Sequence, residues 1–287
     1  MLKHRIITAV LLLLALVAAA TQLSSFYFAV FISLLVLLAA WEWAGVAGLS
    51  RWNLKLSYVF SLAFMLAALF FFLGIRPSAE ELDLTRTLMI LVLGLLFWLF
   101  SLLMLRDYPD NKNIWNDTSK IASMGLFALL PTWAGIIYLK YIDPQGYLPL
   151  LLIVSVAAVD VGAYFVGINF GSRKLAPKLS PHKTWEGVWG GLALCLVLDF
   201  LLIWAVQRYL FELSLLQSAF LIMLAVFVTF FSVVGDLVES MLKRNQNLKD
   251  SGSVLPGHGG ILDRVDGLMG ATPVFALVIM FIVSRAS

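Results

Sequence analysis

A membrane-spanning bundle of α-helices is the fold class this sequence predicts, and three observations predict it. The 287 residues are 61% hydrophobic and only 13% charged, with a mean hydropathy of +0.95, where a soluble domain is roughly 45 to 50% apolar and about a quarter charged. Apolar runs close to the ~20 residues that cross a bilayer as a helix recur nine times along the chain. The runs are continuous, whereas barrel strands would alternate over about ten residues, and a helix satisfies its backbone polar groups internally as lipid requires. Nine such segments leave no room for a large soluble domain, so residues 1–287 are read as a single integral membrane domain.

Charges and turn residues bound each segment in turn. Residues 6–20 follow Lys3 and Arg5, and 26–40 end at Trp41-Glu42-Trp43, where Glu42 is read as an interface anchor. Residues 56–73 run from Lys55 to Gly74, 88–105 from Arg86 to Arg106, and 121–138 from Lys120 to Lys140. Residues 148–167 follow Pro144-Gln145-Gly146, and 188–206 follow Gly187 and precede Arg208. Residues 215–234 and 268–283 enclose the second long polar stretch. The first segment also fits a cleavable signal peptide, since it ends Ala18-Ala19-Ala20. It leads straight into another hydrophobic hairpin with no exported domain, which favours retention.

When consecutive loops alternate sides, fifteen of the 20 Lys and Arg fall on the side of the N-terminus and five (Arg76, Arg86, Lys140, Arg208 and Arg285) on the other. This bias predicts a cytoplasmic N-terminus and cytoplasmic long polar loops. A formal charge of +3 gives no reason to expect a nucleic-acid partner, and the single Cys195 excludes an intrachain disulfide.

Two loops, 171–187 and 235–266, hold most of the polar material that could do chemistry. The first carries four cations, which would also serve as a positive-inside anchor near acidic headgroups, but anchoring does not account for the run Ser180-Pro-His-Lys183-Thr-Trp-Glu-Gly187 at the mouth of a helix. In the second, Asp236, Glu239, Ser240 and Lys243 are spaced to share one face of a continuing helix, as are Asp263 and Asp266 at the start of the last segment. Carboxylates at the ends of apolar segments need partners. Converging beside Lys and Arg, they can hold Mg²⁺ through hard oxygen ligands while the cations neutralise phosphate oxygens. Gly257-His258-Gly259-Gly260 adds a backbone able to approach phosphates closely. Asp160, inside the sixth segment, is read either as a functional acid or as an interhelix hydrogen-bonding group. Asp199 has no motif around it and receives no role. The chain has no Walker-type G-x-x-x-x-G-K-[ST] loop, no dinucleotide fingerprint, no H-E-x-x-H and no cysteine cluster, so the composite reads as a metal-assisted phosphate site.

Residues 240–266, S-M-L-K-R-N-Q-N-L-K-D-S-G-S-V-L-P-G-H-G-G-I-L-D-R-V-D, resemble the signature of the phosphatidate cytidylyltransferases, or CDP-diacylglycerol synthases. The resemblance extends to Asp160-Val-Gly-Ala-Tyr164, to residues 175–187 and to the opening Met1-Leu-Lys-His-Arg5. It implies an enzyme that joins CTP and phosphatidic acid into CDP-diacylglycerol and pyrophosphate for phospholipid synthesis, acting as a homodimer in a bacterial-type inner membrane. It also implies a metal set of Asp236 and Asp263 with Asp266 close by, and Asp160 or Asp266 available to a second cation. The catalytic set would be Asp236, Asp263 and Lys243, and the substrate-binding set Ser180, Lys183, Arg244, Lys249, His258 and Arg264. Gly267 stands where the family commonly has a small polar residue, and Asp199 has no family counterpart. Two rivals are a secondary transporter, which should show repeated halves and a site near the bilayer midplane, and a CTP-dependent polyprenol kinase.

Overall fold

A computed structural model describes residues 2–209, 212–252, 254 and 259–286. Its elements, in chain order, are α1 (Leu2–Gln22), α2 (Ser25–Val46), α3 (Trp52–Leu73), α4 (Leu84–Arg106), the single turn α5 (Lys112–Trp115), α6 (Thr118–Ile142), α7 (Tyr147–Phe170), the strands β1 (Lys174–Ala176) and β2 (Ser180–Thr184), α8 (Trp185–Tyr209), α9 (Leu215–Asn245) and α10 (Leu262–Ala286). Each of the nine predicted runs lies within one long helix. Among the described residues, eight of these, α2 to α4 and α6 to α10, are long and apolar enough to cross a membrane. The chain is therefore a multi-pass, all-α membrane protein.

Local chemistry sets the helix ends. Asp83 and Asp117 accept from amides of the first turns of α4 and α6, and Ser214 forms a reciprocal capping box with Gln217 at the start of α9. Gly74, at φ 76°, closes α3 in the left-handed conformation. The 31 residues of α9 span about 47 Å at ~1.5 Å per residue, against about 30 Å of hydrocarbon. Its last turns, which carry Asp236 to Lys243, therefore extend past the apolar layer.

Two close helix pairings position the polar ends. Where α7 crosses α8, a side chain at Gly162 would strike the Gly190 carbonyl, and one at Gly191 would press on the Val159 carbonyl. Where α9 meets α10, a side chain at Gly235 would strike the Asp266 carbonyl, and one at Gly270 the Phe231 carbonyl. Small residues at these crossings let backbones approach where lipid supplies no hydrophobic drive. Trp43, Trp98, Trp133 and Phe275 fill the interior, and α6 is the most enclosed of the spanning helices. Phenylalanines such as Phe60, Phe64 and Phe71 stay exposed on the outside, as a lipid-facing surface allows.

The far end is tied together by Lys140, which is fully buried. Its Nζ donates to the Ala20 carbonyl at 2.6 Å and to the Pro144 carbonyl at 2.5 Å, so the α1–α2 and α6–α7 turns share one clasp. Ala19 and Ala20 are buried there.

Two expectations change. Residues 171–187 contain an antiparallel hairpin, with Lys174 opposite Thr184, which periodicity could not register in strands of three and five residues. Within 235–266 the end of α9 and the first turns of α10 are helical, as the spacing of Asp236 to Lys243 and of Asp263 and Asp266 predicts, and the described residues 246–252, 254 and 259–261 belong to the connecting loop. Glu42 is no interface anchor: it is buried, 3% exposed, facing that loop.

Candidate active site

The C-terminal ends of α2, α7 and α9 meet the N-terminal ends of α8 and α10 at one end of the bundle, and the predicted acids and bases gather there. Lys183 on β2 forms an ion pair with Asp236 on α9, and Ser240, one turn on, donates to Asp236 Oδ1 at 3.5 Å. Asp160 on α7 lies within electrostatic range of both Asp236 and Lys183. Asp266 on α10 lies within range of Asp236, Glu239 and Lys183, and its Oδ1 accepts from the Gly267 amide at 2.8 Å. The close α9–α10 crossing at Gly235 is what brings Asp266 against this group.

These residues border a cavity of about 700 Å³ between α7, the hairpin, α8 and α9. Asp160, Ser180, Lys183 and Asp236 line it, with Lys174, His182, Thr184, Tyr164 and Ser232, and much of the rest of its wall is apolar, including Val159, Ala163, Ile168, Val188 and Val233. The hairpin that delivers Lys183 is closed at its base by Glu186, which accepts from Ser172 Oγ at 2.8 Å and from the amides of Ser172 and Arg173 at 3.1 Å. Trp185 N donates to the Arg173 carbonyl at 2.9 Å. The polar run before α8 is thus a braced support for Lys183.

A second cluster adjoins the first. Lys243 Nζ sits between Glu239 Oε2 at 2.5 Å and Asp263 Oδ1 at 2.6 Å. Asp263 Oδ2 also accepts from the Gly260 amide at 2.8 Å and the Ser251 amide at 3.0 Å, with Gly259 in the left-handed conformation at φ 81°. Glu239 is 2% exposed, and its Oε1 has no hydrogen-bond partner among the described residues. Five carboxyl groups, Asp160, Asp236, Glu239, Asp263 and Asp266, therefore face two lysines.

That donor set fits a hard divalent cation. Among the described residues no three His, Cys, Asp or Glu side chains converge on one point; Mg²⁺ does not require that, since it is usually held through one or two carboxylates with water and substrate phosphates completing its shell. The acid excess supplies the negative charge such an ion offsets.

The other predicted substrate-binding residues divide. Arg244 donates from Nη1 to the Leu248 carbonyl at 3.1 Å, closing the turn after α9. Lys249 and Arg264 are exposed on the same end of the bundle, and His258 lies outside the described residues. His182, Thr184, Lys174 and Tyr164 join the cavity without having been singled out by sequence, although His182 and Thr184 flank Lys183. Glu42 carried a usable signal, an acid at the end of an apolar segment, which the neighbouring tryptophans disguised.

The fold and this charged, partly apolar recess define a polytopic membrane enzyme with its polar chemistry at one end of the helices. The chain belongs to the cytidylyltransferase family, whose model matches residues 3–282. It is 40% identical over 279 residues to the phosphatidate cytidylyltransferase of Pseudomonas aeruginosa, covering 97% of each chain. It is 37% identical over 294 residues to that of Haemophilus influenzae, covering 98% of this chain and 100% of the other. With the Bacillus subtilis phosphatidate cytidylyltransferase it shares 35% identity over 190 residues, 64% of this chain and 67% of that one. The family resemblance carried by residues 240–266 thus holds across nearly the whole chain.

Proposed function

We infer that this chain is a phosphatidate cytidylyltransferase, converting CTP and phosphatidic acid to CDP-diacylglycerol and pyrophosphate in phospholipid synthesis. The observation that carries the reading is the cavity beside the Lys183–Asp236 pair, whose wall combines charged groups with apolar side chains. This is what a substrate with an anionic phosphate on an acyl body needs. Near full-length likeness to enzymes of that name supports the same reading.

In the reaction an oxygen of the phosphatidate phosphate attacks the α-phosphorus of CTP, one P–O bond forms, and the bond to the β-phosphate oxygen breaks to release pyrophosphate. The attacking oxygen is already anionic near neutral pH, so no strong general base is needed, and the protein's work is positioning and charge neutralisation. Lys183 and Lys243 present ammonium groups to phosphates, and their acid partners keep both in place between turnovers. Ser180, Arg244, Lys249, His258 and Arg264 complete the proposed substrate-binding set. Mg²⁺, when bound, would be held by Asp236 and Asp263, with Asp160 or Asp266 available to a second cation, and would neutralise charge on the departing pyrophosphate. The braced hairpin and the α9–α10 crossing hold these groups in register, and the apolar wall beside Lys183 keeps the acyl body next to its own headgroup.

We further propose that the protein works as a homodimer in a bacterial inner membrane, with this end of the bundle on the cytoplasmic side, where CTP is available and where the cation bias of the loops would place it. The test is a product assay: protein purified in detergent, given CTP, phosphatidic acid and Mg²⁺, should form CDP-diacylglycerol identifiable by mass spectrometry and should form none after chelation. Absence of the product from well-folded protein would overturn the reading.

A further inference from the structure

Glu42 lies far from the signature in sequence, on α2, yet its carboxylate reaches the loop that carries it. A single oxygen, Oε2, accepts from Ser251 Oγ at 3.2 Å and from the Leu262 amide at 2.9 Å. The Leu262 amide is one of the N-terminal donors of α10 that no helical carbonyl can satisfy, so an acid on another helix caps α10, with favourable sign toward the helix dipole. Ser251 is a two-way link: its hydroxyl goes to Glu42, and its amide goes to Asp263 at 3.0 Å. The loop is shaped around this carboxylate. A side chain at Gly252 would meet Glu42 Oε1, and one at Gly260 would meet Ser251 Oγ and Glu42 Oε2.

We propose that Glu42 is a positioning residue for the reaction: through Ser251 and the first turn of α10 it fixes the loop around Ser251 and Gly260 and with it the orientation of Asp263. The inference rests on the functional reading above, because it concerns how Asp263 is presented to substrate. Two donors, one from the loop and one from the first turn of α10, converge on this buried carboxylate only while the loop stays seated, and Glu42 supplies a contact that comes from outside the loop and its flanking helices. What matters is the accepting oxygen, since both bonds end on the same atom.

The test uses full-length protein in detergent carrying Cys195→Ala and Val254→Cys, a reporter at a loop position 40% exposed, with Glu42→Ala, Glu42→Gln and Ser251→Ala added singly. Glu42→Ala should speed thiol labelling at the reporter by at least about fivefold and lower kcat by at least about tenfold. Its KM values should change less than kcat. Glu42→Gln, which can place an amide oxygen where Oε2 sits, should stay within about threefold of the parent in both readouts, and Ser251→Ala should fall between. If Glu42→Ala does not fold, the Ser251→Ala shift and the Glu42→Gln rescue decide the matter. Parental labelling and kinetics in Glu42→Ala or Ser251→Ala would overturn the proposal, as would a Glu42→Gln enzyme that labels as fast as Glu42→Ala. Should the parent itself make no CDP-lipid, the functional reading fails, while the labelling arm still reports whether Glu42 seats the loop.

Discussion

Lys183, near the end of the hairpin, is ion-paired with Asp236, near the end of the longest helix, so the two polar segments that the sequence separates by a pair of spanning helices share one charge pair. Removing either partner should have a distinct effect. Asp236→Asn keeps size but loses a negative ligand, and kcat should fall by at least ~10²-fold if the metal contributes about 3 kcal/mol or more to the transition state. Lys183→Ala should raise KM for CTP or phosphatidic acid alongside any loss in kcat. Steady-state kinetics over a Mg²⁺ titration separate these cases. Asp199→Asn, buried between α8 and α9 and away from the cavity lining, should retain near-normal activity.

Lys243 is held more tightly than an exposed signature lysine would be, because Glu239 and Asp263 flank it on both sides and all three are largely enclosed. Removing the cation leaves two acids facing each other, and breaking a buried pair in this way costs about 3 to 5 kcal/mol. Lys243→Ala should therefore lower the thermal midpoint of the detergent-solubilised protein as well as its rate, whereas Lys183→Ala, at a more open pair, should lose activity with little change in midpoint. Equal melting of the two variants would contradict this division.

How much of this was legible beforehand follows from the kind of signal each residue carries. Nine apolar runs are long enough to declare themselves, and the i, i+3, i+4, i+7 spacing of Asp236, Glu239, Ser240 and Lys243 places them on one helix face with no structure needed. The Lys243–Glu239 pair is of that local kind. The Lys183–Asp236 and Glu42–Leu262 contacts are not, since they depend on which helices pack together, and spacing says nothing about that. The hairpin was illegible because three residues of strand give no period. Glu42 was misread because two tryptophans are ordinary at a membrane interface and only tertiary packing distinguishes that setting from a buried capping acid.

The α9–α10 crossing supplies the next expectation. Gly235→Ala places a methyl against the Asp266 backbone carbonyl, so the helices must separate locally, an overpacking cost of about 1 to 3 kcal/mol. Because Asp236 and Asp266 flank this contact, activity should fall at temperatures where the variant is still folded. Gly74→Ala, where a side chain would meet open space, should cost stability only through its positive φ and leave kcat alone. Melting curves paired with kinetics on both variants check this.

Sidedness can be read with thiol chemistry in a Cys195→Ser background. Single cysteines at Lys178 and Val254 mark the end of the bundle that holds the cavity, and Ser214, at the start of α9, marks the opposite end; all three positions are exposed. In sealed cells an impermeant reagent should label only the Ser214 position. Labelling of Lys178 or Val254 from outside would separate the site from cytosolic CTP.

The most direct measurement follows the fate of the two ends of CTP. Purified protein is given phosphatidic acid, Mg²⁺ and CTP labelled at either the α- or the γ-phosphorus, and the lipid phase is extracted and counted. The account predicts that α-label enters the lipid as CDP-diacylglycerol while γ-label remains in water as pyrophosphate. Transfer of γ-label to a lipid with none from the α position would mark a kinase, and would contradict the assignment of cytidylyl transfer to the site around Lys183, Asp236 and Asp263.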